Sequence, residues 1–175
     1  VLVIDETGFL KKGQASCGVG RQYTGSVGKI TNCQIGVFAT YVSARGHAFV
    51  DRALYLPKDW TSNRERLKQA HVPDDVVLAT KPASASTMIE RSIEAGVPFR
   101  WVATDSVYGV CDVERTLRRA GIGYVLRVRG NHWFGSWATG PLIAGETKDI
   151  AANLPQQDWH RLSAGHGTKG ERLYD

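Results

Sequence analysis

The apolar residues of this chain fall into short blocks separated by glycine-rich and charged stretches. Val1 to Ile4 form a continuous apolar run that stops at Asp5, the pattern of a buried central strand whose carboxyl end presents a side chain. Thr7 to Lys29 mix Gly8, Gly13, Gly18, Gly20, Gly25 and Gly28 with polar and basic residues, which predicts a loop with at most brief hairpin structure. Thr31 to Ser43 and His47 to Leu56 are β-rich runs divided by the turn-like Ala44, Arg45 and Gly46, and they predict an antiparallel hairpin. Ser62 or Asn63 caps a short charged helix, Arg64 to Ala70. Pro82 opens a longer amphipathic helix in which Ala85, Ile89 and Ile93 share a face up to the stop at Gly96. Phe99 to Thr104 is a second short apolar strand, and it too ends on an aspartate, Asp105. A helix from Asp112 to Ala120 buries Val113 and Leu117, exposes Arg115, Arg118 and Arg119, and stops at Gly121 before a strand, Ile122 to Val128.

The order strand, hairpin, helices, strand, helix, strand is the plan of a ribonuclease-H-like α/β fold, a mixed sheet with helices on its faces. From Arg129 the texture changes to Gly, Trp and polar residues with weak periodicity. The expected division is therefore a core over residues 1–130 and the start of a β-rich insertion subdomain over 131–175. In that plan the first and fourth strands lie side by side. Asp5 and Asp105, about 100 residues apart in sequence, would then meet at neighbouring strand ends.

Composition narrows the partners. With 22 Lys+Arg against 17 Asp+Glu the formal charge is +5 and the pI is near 9.2, which favours a polyanion without naming one. Cys17, Cys33 and Cys111 are odd in number and widely spaced, as in a reduced, cytosolic protein. There is no CxxC or HExxH pattern, and His47, His71, His132, His160 and His166 are scattered without ligand spacing. No apolar run approaches the roughly 20 residues of a membrane span, and no signal segment opens the chain, so a soluble, cytoplasmic protein is expected. The chain starts inside a strand without an initiator methionine and stops at Leu173, Tyr174, Asp175 without a polar tail, so it is expected to be a fragment at both ends.

Carboxylates on rigid strand ends, ringed by basic groups, suit metal-dependent phosphodiester chemistry. Two divalent ions roughly 4 Å apart can stabilise the attacking and leaving oxygens, and hard Mg²⁺ prefers carboxylate oxygens. Asp5 and Asp105 are the candidate catalytic and metal-holding acids. Lys11, Lys12, Arg21 and Lys29 in the glycine-rich stretch, with Arg127 and Arg129 after the last strand, are the candidate DNA-binding residues. An aspartate after a strand is often only a turn residue or helix cap, so either one alone says little. Their placement on inferred neighbouring strands makes the pair worth weighing.

Longer segments carry a family likeness. DETGFLKKGQASCGVGRQYTGSVGKITNCQIGVF (Asp5 to Phe38) resembles the segment around the first catalytic aspartate of insertion-sequence DDE transposases. WVATDSVYG (Trp101 to Gly109) resembles their second aspartate segment. YVLRVRGNHW (Tyr124 to Trp133) resembles the following strand and basic turn, and GTKGERLYD near the end also fits. The resemblance spans essentially the whole chain. It implies a ribonuclease-H-like core, two Mg²⁺ or Mn²⁺ ions in the complete enzyme, nicking at transposon ends, and attack of the freed 3′-hydroxyl on a target. DNA is then the partner, as transposon ends and as target, with a homodimer in the DNA complex left open. Asp5 and Asp105 carry over as the first two acids. The third, a glutamate on a helix after a β-rich insertion, has no matching segment; it is expected beyond Asp175, with Glu171 a weak candidate. The competing readings are a non-catalytic DNA-binding remnant and a ribonuclease-H-like nuclease acting on other substrates.

Several neighbours bear on the same site. Glu6 should point away from Asp5 if the strand continues, into a solvent or hydrogen-bonding role. Lys11 and Lys12 are placed beside Asp5, and Tyr108 with Gly109 form the turn into the next helix, Tyr108 as a core lid. Trp133, Phe134 and Trp137 invite base stacking, although packing inside the insertion is the simpler expectation. His132 is the histidine to test for DNA contact.

Overall fold

The computed structural model describes all residues except 77, 137–141, 168–169 and 175. It forms two compact units, Val1–Val128 and Arg129–Asp175. No helix among the described residues is long and apolar enough to cross a membrane.

The first unit is built on a six-stranded mixed sheet. β1 (Leu2–Leu10) lies at its centre, antiparallel to β3 (Lys29–Ser43) and parallel to β5 (Trp101–Thr104). β6 (Gly123–Leu126) extends the parallel side. The fifteen residues of β3 serve two partners along their other edge, β2 (Gly20–Thr24) at the start and β4 (Gly46–Tyr55) further on. The result is the mixed α/β sheet of a ribonuclease-H-like fold, with the first strand beside the fourth of that plan.

Side chains alternate across β1, and this decides what each face meets. Leu2 and Ile4 join Val37, Ala39 and Val102 on one face, where they are buried by α3 (Lys81–Glu94) and α4 (Cys111–Arg119). α3 starts where Thr80 accepts a hydrogen bond from the Ala83 N–H at 3.2 Å, with Pro82 in its first turn, and it buries Ala85, Met88, Ile89 and Ser92. Ile93, expected on the same face, is exposed instead. The opposite face carries Val3, Asp5, Thr7 and Phe9 of β1 with Phe38, Thr40 and Val42 of β3 and Phe49 of β4, which line a shallow trough. Phe9 and Phe49 are exposed there, so among the described residues the helices cover one face of this sheet and not both.

The glycine-rich stretch is more ordered than its composition predicts. β1 runs on to Leu10, so Asp5 stands inside a strand and not at its end, and β2 pairs with the start of β3 as a hairpin. Gly8 explains part of the difference, because a Cβ there would overlap the Thr24 side chain: this glycine lets β2 pack over β1. α1 (Lys58–Thr61) and α2 (Arg64–Gln69) close a small second core in which Trp60 packs on Val19 and Leu56, its indole N–H donating to the Val19 carbonyl at 2.7 Å. The cap of α2 is Asn63, whose side chain accepts from the Arg66 N–H at 3.0 Å.

The second unit holds two hairpins and a short helix. β7 (Trp133–Ser136) pairs antiparallel with β8 (Ile143–Glu146), α5 spans Thr147–Asn153, and β9 (Leu162–Gly167) pairs with β10 (Gly170–Tyr174).

Candidate active site

The parallel ladder between β1 and β5 ends at Ile4 opposite Thr104. Asp5 and Asp105 are the next residue on each strand, and neighbouring strands are about 4.8 Å apart. Asp5 pairs across to Phe38 of β3 while its carboxylate faces the open trough. Asp105 turns the chain out of the sheet: its Oδ1 accepts the Val107 N–H at 2.9 Å and its carbonyl the Tyr108 N–H at 3.2 Å. The turn-residue reading of this aspartate therefore holds as well, and does not compete with a ligand role, because the second carboxylate oxygen is left over.

Among the described residues neither aspartate has a cationic partner; Asp5 Oδ1 accepts only the Glu6 N–H, at 2.8 Å. Asp5 reaches solvent, yet the apolar trough partly desolvates it and raises its carboxyl above the ordinary aspartate value. The Glu6 N–H bond opposes that rise, and the charges of Asp105 and Glu6 add to it. The folded-state value lies above the unfolded one, so this group favours the fold below the ordinary value of 3.8 and turns against it as pH rises through the raised value. A pair of hard, uncompensated oxygen donors that repel each other fits a divalent cation, which would replace repulsion by attraction. No group of three or more His, Cys, Asp or Glu side chains suited to a metal occurs among the described residues.

The basic candidates separate into four places. Arg127 follows β6, and its backbone N–H donates to the Thr104 carbonyl at 3.1 Å, which puts it beside the Asp105 turn. Lys11 and Lys12 are not beside Asp5 as expected. Because β1 stays extended to Leu10, they lie about 20 Å along it at about 3.4 Å per residue. There the Asn32 side chain donates to the carbonyls of Lys11 at 2.8 Å and Gly13 at 2.9 Å, fixing the bend that carries both lysines. Arg21 in β2 and Lys29 at the start of β3 are exposed on the hairpin. Arg129 belongs to the second unit, where its carbonyl accepts the His132 N–H.

The same unit corrects one expectation. Trp133 and Phe134 are 69% and 47% exposed, so they do not form a core there; Trp137 lies outside the described residues. Glu171 sits in β10 paired with His166, and its carboxylate accepts from Ser163 at 3.4 Å. The His132 carbonyl is engaged by both the N–H and the hydroxyl of Thr147.

Three residues that sequence reasoning left aside or gave another role gather under the acids. Glu6 Oε1 is 2.6 Å from Lys81 Nζ, and Glu6 Oε2 accepts the Tyr108 hydroxyl at 2.5 Å. Tyr108 is fully buried, as a core lid should be, but its hydroxyl also works across the sheet. Burial and the Glu6 bond push its own ionisation far above the ordinary tyrosine range. The usable signal was strand alternation, which turns Glu6 onto the helix-covered face, where a carboxylate needs partners.

Residues 1–144 match the family described as DDE superfamily endonuclease. The chain belongs to that family. A curated relative of this DDE endonuclease chain, from Microchaete diplosiphon, is described as a probable transposase for insertion sequence element IS701; it is 32% identical over 135 residues, 76% of the chain. The chain spans 33% of that relative's length. No solved structure matches the chain.

Proposed function

We propose that the chain is the metal-binding part of an insertion-sequence transposase that cleaves DNA at the element's ends and joins it to a target. The observation that carries this reading is the pair of carboxylates without a cationic partner among the described residues, Asp5 and Asp105, one residue past the end of the β1–β5 parallel ladder, in a chain of the DDE endonuclease family. Asp5 and Asp105 would hold Mg²⁺ or Mn²⁺ through their free oxygens. Bound there, divalent ions supply charge neutralisation to the attacking and leaving oxygens of a phosphodiester. Backbone N–H groups hold the two carboxylates in place, Glu6 in β1 anchoring one oxygen of Asp5 and Val107 in the turn one oxygen of Asp105. A third acid from outside the described residues would complete the set, and Glu171 is the weaker alternative.

Arg127, next to the Asp105 turn, is placed to hold a phosphate close to the reacting one. Lys11 and Lys12, about 20 Å along β1, would hold phosphates roughly six base-pair steps away. A second reading, a DNA-binding remnant without catalysis, is favoured by the lack of a third ligand among the described residues.

The DNA interface is testable by salt titration. Replacing Lys11, Lys12, Arg127 and Arg129 by alanine should weaken duplex binding and flatten the slope of log K against log salt by about 0.9 per lost phosphate contact. A slope equal to that of the unaltered chain would place the basic surface elsewhere.

A further inference from the structure

We propose that Glu6 is the positioning residue of the two-aspartate site: through Tyr108 it ties the Asp105 turn to β1, and through Lys81 it ties both to the start of α3. This inference rests on the reading of Asp5 and Asp105 as metal-holding acids. The paired register of β1 and β5 stops at Ile4 and Thr104, just before the residues whose spacing a shared cation would sense. The bond from the Tyr108 hydroxyl to Glu6 bridges that gap. It runs between the residue after Asp5 and the third residue after Asp105, which share a backbone path with the acids of only one and three steps.

The bridge is constrained at every end. Tyr108 is fully buried in the main core, and its backbone N–H returns to the Asp105 carbonyl, so the ring cannot shift without moving the turn. Glu6 and Lys81 side chains are 18% and 19% exposed, and the Lys81 ammonium also lies 5.4 Å from the centre of the Tyr55 ring in β4. Each oxygen of Glu6 is committed to a separate partner, and alternation along β1 turns it away from the Asp5 face. Glu6 is therefore a support for the acids and not a third ligand. Lys81 has a second effect: it neutralises one of three carboxylates crowded at this strand end, leaving the charge of Asp5 and Asp105 for a cation.

Groups that orient metal ligands typically change metal affinity about 10- to 100-fold when removed. A purely structural anchor would lower the melting temperature and leave the affinity of the folded protein alone. The test is Mn²⁺ alone titrated into the 175-residue chain, with free ion read by electron paramagnetic resonance and folding checked by thermal melts. The variants are Tyr108→Phe, Glu6→Ala, Glu6→Gln and Asp105→Asn. Tyr108→Phe keeps the ring in the core and should weaken Mn²⁺ binding at least about tenfold, as should Glu6→Ala. Glu6→Gln still accepts the Tyr108 hydroxyl and should stay closer to the unaltered chain than Glu6→Ala. Should Tyr108→Phe fail to fold, the ordering of the two Glu6 variants decides. Unaltered affinity in the folded Tyr108 and Glu6 variants, with Asp105→Asn abolishing binding, would overturn the positioning role alone. Binding that survives Asp105→Asn, or no binding by the unaltered chain, would overturn the metal reading beneath it.

Discussion

Asp5→Asn or Asp105→Asn in the whole protein is expected to abolish nicking of a supercoiled plasmid carrying the element's ends, while binding to those ends stays within a few-fold. An amide keeps the shape of the carboxylate and its hydrogen bond to the Glu6 or Val107 N–H, so the strand and the turn should persist. What is lost is the anionic oxygen that a hard cation requires. Removing the stabilisation of a single charged oxygen by about 4 kcal/mol slows the reaction about a thousandfold. In the proposed interface DNA affinity would rest on Lys11, Lys12, Arg127 and their neighbours, none of which these variants touch. Nicking retained within tenfold by either variant would take that aspartate out of the chemistry.

Gly109→Ala should be among the most damaging single changes to the fold. Gly109 is buried in the turn after Asp105, and a Cβ there would overlap the Arg127 carbonyl oxygen, with Val128 Cγ1 at 3.2 Å. The obstacle is backbone, so no rotamer change relieves it. Either the Asp105 turn or the end of β6 must move, at a cost of about 3 kcal/mol. In a unit of this size that lowers the melting temperature by about 10 °C. A thermal melt of the alanine variant within about 2 °C of the unaltered chain would mean that the turn has room the geometry does not show.

The parts of this fold legible from sequence are those whose signal is local. The apolar runs before Asp5 and Asp105, the hairpin of β3 and β4, and the helices stopping before Gly96 and Gly121 all follow from period and punctuation. The far half of β1 was not legible, because Glu6 and Gly8 have weak strand preference and, with Thr7 between them, owe their conformation to pairing with β3 from Val37 to Ile35. That misreading also moved Lys11 and Lys12 too close to Asp5. At the site, the two aspartates announced themselves as the ends of apolar runs. Glu6 did not, since alternation gives its face but not its partners: Lys81 is 75 residues away and Tyr108 is 102. Long-range side-chain pairs leave no period in a sequence.

In the proposed site Asp5 and Asp105 hold one divalent cation between them. Crystals of the chain soaked in Mn²⁺ and measured at the manganese absorption edge test it most directly. The expected result is an anomalous peak within about 2.2 Å of an oxygen from each aspartate, with Glu6 still bound to Lys81 and Tyr108. A peak ligated by Glu6, or manganese bound elsewhere with none between Asp5 and Asp105, would contradict it.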